Sequence, residues 1–159
     1  MKRYFVAIDI PSQIKKDIIS YYYPLLEEYF DGKFTKEEKL HITLLFLGNF
    51  KISEEFKEFI RDIKFLDDIR ISGINGFPNI IKPRIVYGEI HNNLKTIAKD
   101  IADFLRIKFD EDFKPHVTLC RVKKIKKQFN KMAEEKEFSF IASSISLFES
   151  DFKNYYKII

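Results

Sequence analysis

One short pattern occurs twice in this chain, at residues 41–44 (HITL) and 116–119 (HVTL). In both copies aliphatic residues alternate with His and Thr, so an extended strand would carry His and Thr on one face and the aliphatic side chains on the other. Such a strand has to lie between the core and a polar surface. If the two strands lie side by side, two imidazoles and two hydroxyls meet, which supplies a proton donor, a proton acceptor and hydrogen-bond donors for an oxyanion.

The size and composition of the chain predict one compact domain. It has 159 residues, of which 45% are hydrophobic, and no run approaches the roughly 18 apolar residues of a membrane span. Its single cysteine, Cys120, excludes an intrachain disulfide and is typical of a reducing compartment. The first residues pass into a strand-like run too short for a signal peptide. We therefore expect a cytoplasmic monomer with no membrane segment and no obligate protein partner.

The formal net charge is +4, a mild excess of basic residues. A denser basic run follows the second motif and consists of Arg121, Lys123, Lys124, Lys126 and Lys127. It is either a solvated face or a rim that attracts phosphate. Its position beside His116 favours the rim.

The first half of the chain predicts a strand, a helix, the motif strand, a helix and a strand. Ser12 and Ser53 are the candidate N-caps of the two helices, and Pro24 should kink or interrupt the first helix. Hydrophobic periodicity and turn residues give strands at 4–10, 40–47 and 69–75 and helices at 12–30 and 53–63.

After a junction rich in Pro and Gly at 76–83, the same order begins again. The pattern gives strands at 84–90, 115–122, 138–150 and 155–159 and helices at 93–105 and 125–135. The halves, about 1–76 and 77–159, match element for element. This indicates an α+β fold with pseudo-twofold symmetry, which would bring the two motif strands face to face.

The paired motifs suit the opening of a cyclic phosphodiester, in which water attacks phosphorus in line with the departing oxygen. This reaction needs a base on one side, an acid on the other and donors to the equatorial oxygens. His41 and His116 can supply the acid and the base, because imidazole titrates near neutral pH. Thr43 and Thr118 are placed to donate to the non-bridging oxygens, and no cofactor or metal ion is required.

Other site types fit the sequence less well. A single His-x-Thr-Leu arises readily by chance, but two copies in a chain with three histidines do not. Zinc would need His91, carboxylates or the lone Cys120 to complete three or four ligands, and His91 is better explained as a turn residue. The chain has neither a Gly-x-Ser-x-Gly turn nor a glycine-rich phosphate loop.

With these residues the chain resembles the two-histidine (2H) phosphoesterases, specifically the RNA 2′,3′-cyclic phosphodiesterases that were once described as 2′–5′ RNA ligases. The resemblance covers nearly the whole length. It rests on residues 3–11 (RYFVAIDIP), 41–48 (HITLLFLG), 76–78 (GFP), 113–121 (FKPHVTLCR) and 147–150 (LFES).

The resemblance implies a bilobal fold in which two antiparallel sheets form a central cleft, with the helices outside. It implies hydrolysis of RNA 2′,3′-cyclic phosphate ends, tRNA fragments among them, to 2′-phosphates, and the reverse 2′–5′ ligation would share the site. His41 would be the proton donor and His116 the proton acceptor, while Thr43, Thr118 and Arg121 would hold the phosphate.

Strict alternation places Arg121 on the face of its strand opposite His116. We therefore predict an irregularity, either a β-bulge after Leu119 or the end of the strand there. We also expect an aromatic side chain to stack on the base, although the sequence does not indicate which of the Phe and Tyr residues does so.

Two other functions stay open at this point. One is an RNA- or nucleotide-binding module that has the cleft without efficient catalysis. The other is a phosphodiesterase for a small cyclic nucleotide, which would share the chemistry but not the RNA.

Overall fold

The computed structural model describes residues 2–130 and 136–159. Within these ranges three α-helices and nine strands follow one another, with a single 3₁₀ turn at Glu37–Lys39 before the first motif strand. In chain order they are β1 (Arg3–Asp9), α1 (Ser12–Glu27), β2 (Phe30–Phe34), β3 (His41–Gly48), α2 (Glu54–Asp62), β4 (Asp67–Phe77), β5 (Ile85–Ile90), α3 (Lys95–Leu105), β6 (His116–Ile125), β7 (Glu137–Ala142), β8 (Ser146–Ser150) and β9 (Tyr155–Lys157).

The strands form two antiparallel sheets. Sheet A has the order β3-β1-β8-β9, and sheet B has the order β2-β6-β5-β4-β7. The predicted α+β class with two antiparallel sheets is confirmed. The two halves of the sequence exchange strands, because β4 from the first half pairs with β5 in sheet B, while β8 from the second half pairs with β1 in sheet A.

The helices cover the outer faces of the sheets and form the core there. α3 packs against β3, α1 against β7 and α2 against β8. On the motif strands Ile42, Leu44, Val117 and Leu119 are all at most 1% exposed. Each fully buried aliphatic side chain contributes about 1.5–3 kcal/mol relative to an exposed one. A one-residue slip of either motif strand would turn these side chains outward, so core packing holds the His and Thr residues on the opposite face.

Three details of the first half differ from the expectation. Ser12 does not cap α1, because Pro11 has the extended backbone of the N-cap position and Ser12 is already the first helical residue. The helix is continuous through Pro24 and ends at Glu27, short of residue 30. Phe30 instead begins β2, a strand that the sequence did not indicate. Ser53 caps α2 as predicted, accepting from the backbone N–H of Phe56 at 3.0 Å.

Two details of the second half also differ. Ile125 is the last residue of β6, and residues 126–130 are not helical; the rest of the helix expected at 125–135 lies outside the described residues. This segment instead contacts the start of β2. The N–H of Lys126 donates to the carbonyl of Tyr29 at 2.8 Å, and the Phe129 ring packs on Tyr29 and Phe30. The single strand expected at 138–150 is two strands, β7 and β8, which belong to different sheets.

Of the helices in the described ranges, none combines the length and the apolar character needed to cross a bilayer.

Candidate active site

The two motif strands meet at one cleft. β3 belongs to sheet A and β6 to sheet B, yet the strands contact each other, and a cavity of about 910 Å³ lies on their polar faces. All five residues predicted for the site line this cavity: His41, Thr43, His116, Thr118 and Arg121. The alternation that predicted one polar face for each motif is therefore present in the structure.

The His41 ring is held from both of its nitrogens. Nδ1 lies 2.6 Å from the carbonyl oxygen of Lys39, and Nε2 lies 2.8 Å from Oγ1 of Thr43. A carbonyl oxygen can only accept, so Nδ1 carries a proton, and in the neutral imidazole Nε2 accepts from the Thr43 hydroxyl. Phe5 stacks on the ring at 4.9 Å and Tyr155 meets it edge-on at 5.4 Å between ring centroids.

Nδ1 of His116 is held in the same way, on a strand of the other sheet. Its Nδ1 lies 2.7 Å from the carbonyl oxygen of Lys114, two residues earlier, which is the same relationship that His41 has with Lys39. Phe77 and Tyr87 meet the ring edge-on, with centroids at 5.1 and 5.2 Å. In both histidines Nδ1 is therefore engaged by the backbone, and Nε2, which in His41 is hydrogen-bonded to the Thr43 hydroxyl, is the nitrogen available for chemistry.

Burial shifts the titration of both imidazoles in one direction. Desolvation lowers the pKa of His41 to about 4, an effect that the Lys39 carbonyl opposes and the Lys15 ammonium reinforces. Desolvation also lowers the pKa of His116, against the opposing effect of the Lys114 carbonyl. Both rings are thus neutral at neutral pH in the free protein. An anionic phosphate placed between them would favour the protonated forms and raise both pKa values.

A bulge returns Arg121 to the face of His116, as predicted. In the pairing of β6 with β5, Thr118 and Cys120 lie opposite consecutive residues of β5, so Leu119 is the extra residue. Leu119 and Cys120 are both fully buried, and Arg121 lines the cleft. The guanidinium therefore faces the same cavity as the His116 imidazole.

The same irregularity occurs in β3 and places an aromatic ring that the sequence did not reveal. Thr43 and Leu45 lie opposite consecutive residues of β1, so Leu44 is the extra residue. Phe46 then takes the place in β3 that Arg121 has in β6. Its side chain is 72% exposed and lines the cleft. Applying the bulge argument to both copies of the motif would have identified it.

The basic rim consists mainly of residues other than the run after the second motif. Of that run only Arg121 lines the cleft. Lys126 donates to the carbonyl of Glu27 at 2.8 Å, and Lys127 lies 4.8 Å from the centre of the Tyr29 ring, so both brace the end of α1. The prediction that Lys123, Lys124, Lys126 and Lys127 form a phosphate-attracting rim was wrong. The end of β6 and the residues after it extend beyond the cleft, so none of the four lysines lines it.

The cleft is nevertheless strongly cationic. Among residues 2–130 and 136–159, no Asp or Glu lines it, and none of its basic side chains has a carboxylate within ion-pair distance. Lys33 of β2 lies directly opposite Arg121 of β6 in the sheet. Unpaired like charges repel, so a bound polyanion would relieve the repulsion. The basic residues that line the cleft are Arg3, Lys33, Lys36, Lys39, Arg121 and Lys153.

The residues considered for a zinc site lie elsewhere. His91 is exposed and its Nε2 lies 2.7 Å from the carbonyl oxygen of Ser72, while Cys120 is fully buried, which raises the pKa of its thiol to about 11. Neither lines the cleft. Within the described residues no three His, Cys, Asp or Glu side chains are grouped as metal ligands would be.

The chain is similar to known phosphoesterases over nearly its whole length. A family model described as LigT-like phosphoesterase matches residues 8–87 and 88–154. A protein of Methanocaldococcus jannaschii named RNA 2′,3′-cyclic phosphodiesterase is 34% identical, with 93% of this chain and 91% of that protein covered. One of Thermotoga maritima with the same name is 27% identical, with 92% and 84% covered.

Solved structures agree with the fold. Escherichia coli LigT complexed with 3′-AMP superposes with a TM-score of 0.72 at 20% identity, over 99% of this chain and 95% of that one. A Thermus thermophilus protein, TT0787, gives 0.73 at 23% identity, over 99% and 95%. The matched segments account for both motif strands and both sheets, and the chain therefore belongs to the LigT-like phosphoesterases of the two-histidine superfamily.

Proposed function

We propose that the protein hydrolyses RNA 2′,3′-cyclic phosphate ends to 2′-phosphates by acid–base catalysis between His41 and His116, without a metal ion. One observation carries the proposal: two imidazoles, each oriented by the carbonyl two residues before it, line one cleft to which the described residues contribute no carboxylate. The names of the curated relatives support the choice of an RNA substrate.

The reaction breaks the bond between phosphorus and the 3′ oxygen. Nε2 of His116 takes a proton from a water molecule, which attacks phosphorus on the side opposite the 3′ oxygen. Nε2 of His41 gives a proton to that oxygen as it departs, and the products are a 3′-hydroxyl and a 2′-phosphate. If an RNA 5′-hydroxyl takes the place of the water molecule, the same attack on the 2′,3′-cyclic end breaks the same bond to the 3′ oxygen and would form a 2′–5′ linkage.

One of the two rings has to be protonated when the substrate is bound. The free protein holds both rings neutral, so the acid acquires its proton together with the anionic substrate, whose charge favours imidazolium. Assigning the acid to His41 follows the family pattern. The hydrogen bond between Nε2 of His41 and the Thr43 hydroxyl is compatible with it, because that hydroxyl can accept from a protonated ring or donate to a neutral one.

Three side chains are proposed to hold the phosphate between the imidazoles. The hydroxyls of Thr43 and Thr118 lie on the same strand faces as the histidines and can donate to the non-bridging oxygens. Arg121 adds a guanidinium fork, which matches two phosphate oxygens. Charge that develops on those oxygens in the transition state would be stabilised by donors already in place.

Phe46 is proposed as the surface on which the base of the reacting nucleotide stacks. Its ring is exposed to the cleft and lies on the face of β3 that carries His41 and Thr43. Stacking on an aromatic side chain is the usual way in which proteins bind an unpaired base.

The test is to incubate the protein, in EDTA, with an RNA oligonucleotide that ends in a 2′,3′-cyclic phosphate. We expect conversion to a 2′-phosphate end, separated from the 3′-phosphate isomer by chromatography. A 3′-phosphate product would reject the assigned bond cleavage, and turnover only after metal is restored would reject the metal-independent route. Oligonucleotide binding without turnover would favour a binding module, and turnover of cyclic mononucleotides alone would favour a small-molecule phosphodiesterase.

A further inference from the structure

Besides Phe46, a second largely exposed aromatic side chain lines the cleft, and its backbone has an unusual conformation. Phe152 lies in the loop between β8 and β9, with φ of 77°, and its side chain is 58% exposed. Bulky residues rarely adopt positive φ, and they keep it only where the surroundings impose it. The ring lines the same cleft as His41 and His116.

The loop that displays Phe152 is held by its own hydrogen bonds. The Asp151 carboxylate accepts from the backbone N–H groups of Lys153 at 3.0 Å and Asn154 at 2.8 Å, and from the Tyr156 hydroxyl at 3.3 Å. The N–H of Asp151 also bonds the carbonyl of Asn154 at 3.3 Å. The backbone that carries the exposed ring is therefore held in place, which lowers the ordering cost of using the ring as a stacking surface.

Arg3 lies over the Phe152 ring, with its guanidinium carbon 4.5 Å from the ring centre. The nearby carboxylate of Glu149 is engaged by Lys2 at 3.1 Å and by the Tyr4 hydroxyl at 3.3 Å. Among the described residues Arg3 has no ion-pair partner within bonding distance. Its charge thus remains available to a phosphate, while its guanidinium and the Phe152 ring form a cation–π pair.

The pair lies beside the reacting centre and not on it. Arg3 and Phe5 are two residues apart on the cleft face of β1, a distance of about 6.6 Å along a strand. Phe5 in turn stacks on the His41 ring. The Arg3–Phe152 pair is therefore one strand repeat away from Phe5, which itself contacts the imidazole.

We propose that Phe152 and Arg3 form a second base-stacking subsite, which receives the nucleotide on the 5′ side of the one that carries the cyclic phosphate. This inference rests on the proposed function, since it assumes a single-stranded RNA end in the cleft. An aromatic ring, a guanidinium and a cationic lining are together what binds single-stranded nucleic acid without base specificity. The subsite makes the protein prefer a dinucleotide or a longer RNA to a cyclic mononucleotide.

The test compares kcat/KM for a 2′,3′-cyclic mononucleotide with kcat/KM for a dinucleotide that ends in the same cyclic nucleotide. For Phe152→Ala we expect a loss of about 5- to 150-fold on the dinucleotide, mainly in KM, and no change on the mononucleotide. Phe152→Tyr should retain the preference and Phe152→Leu should lose it. Ile141→Ala, which truncates a side chain 63% exposed outside the cleft, is the matched control.

The variant Phe152→Gly separates an effect of the lost ring on substrate preference from an effect on protein stability. Glycine adopts φ of 77° without strain, so this variant should be at least as stable as the wild type while losing the dinucleotide preference. Equal loss on both substrates, no loss on either, or a wild type that does not prefer the dinucleotide would each overturn the subsite.

Failure of the proposed function is detected separately. If the wild type turns over neither substrate, the affinity for a single-stranded RNA oligonucleotide, measured by fluorescence anisotropy, still tests the subsite. A 5- to 150-fold weaker affinity of Phe152→Ala would then support it, and an unchanged affinity would overturn it.

Discussion

Arg121 and Phe46 occupy equivalent positions in the two motif strands. Each lies three residues after the motif threonine, beyond a bulge at Leu119 or Leu44, and each lines the cleft. The duplicated pattern therefore yields a symmetric pair of imidazoles beside an asymmetric pair of neighbours, a cation on one side and an aromatic ring on the other. This asymmetry suits a substrate that has an anionic phosphate at one end and a base at the other.

Arg121→Ala should lower kcat/KM for a 2′,3′-cyclic phosphate about 10- to 150-fold, because the variant loses charge-assisted hydrogen bonds to the phosphate. Arg121→Lys should recover only part of the loss, since an ammonium cannot bond two oxygens in the guanidinium geometry. Lys124→Ala removes a basic residue of the same strand that does not line the cleft, and it is the matched control. Equal effects of the Arg121 and Lys124 variants would contradict the assignment.

Phe46→Ala should raise KM with little change in kcat, because base stacking holds the bound substrate without acting on the reacting bonds. The expected loss in affinity is about 1–3 kcal/mol. Steady-state kinetics on cyclic substrates with and without a base make the comparison. A ribose cyclic phosphate that lacks the base should show no difference between Phe46→Ala and the wild type, and a difference there would reject the stacking role.

The pH optimum of kcat/KM, which reports on the free enzyme, should lie on the acidic side of the ordinary imidazole pKa. The proposed mechanism needs one ring protonated and one neutral, and this state is most populated between the two pKa values. Burial lowers the pKa of His41 to about 4 and lowers that of His116, so the optimum of kcat/KM should lie below pH 6.5. The optimum of kcat should lie higher, because the bound anion raises both values. Paired pH profiles measure this, and an optimum of kcat/KM above pH 7 would contradict it.

Gly32→Ala should destabilise the pairing of β2 with β6 by about 1–3 kcal/mol. A Cβ at Gly32 would overlap the backbone carbonyl oxygen of Arg121, and rigid sheet neighbours cannot move away. Because Lys33 follows Gly32 and pairs with Arg121, phosphate binding should weaken as well. Urea unfolding and inorganic phosphate titration check both effects. Unchanged stability would show that β2 is not held against β6 in solution.

The site was more predictable than the fold around it. The alternation of His, Thr and aliphatic residues is local information, and it predicted that His41, Thr43, His116 and Thr118 lie at one cleft, while Arg121 was predicted from the family resemblance. Even the bulge at Leu119 followed from the need to bring Arg121 to the face of His116. The elements that were missed depend on contacts distant in sequence. β2 pairs with β6, and the N–H of Lys126 bonds Tyr29, so neither pattern is visible within its own segment.

Residues brought to the cleft by other elements had no local signal. Phe152 and Lys153 enter it through the loop after β8, and Lys33 through β2. The sequence alone does not distinguish these three residues from other surface residues, because their place at the cleft depends on the order of the strands. The basic run at 121–127 led to a wrong prediction for the opposite reason. Its lysines are close to His116 in sequence, but β6 extends away from the cleft and places them outside it.

The most direct measurement is the single-turnover rate of RNA 2′,3′-cyclic phosphate hydrolysis for the wild type, His41→Ala, His116→Ala and the double variant. Thermal unfolding and substrate affinity are measured alongside to establish that each variant folds and binds. Each single variant should lose about 10²- to 10⁴-fold, and the double variant should lose far less than the product of the two, because the imidazoles act as one unit. Near wild-type turnover by either single variant would contradict the two-histidine mechanism.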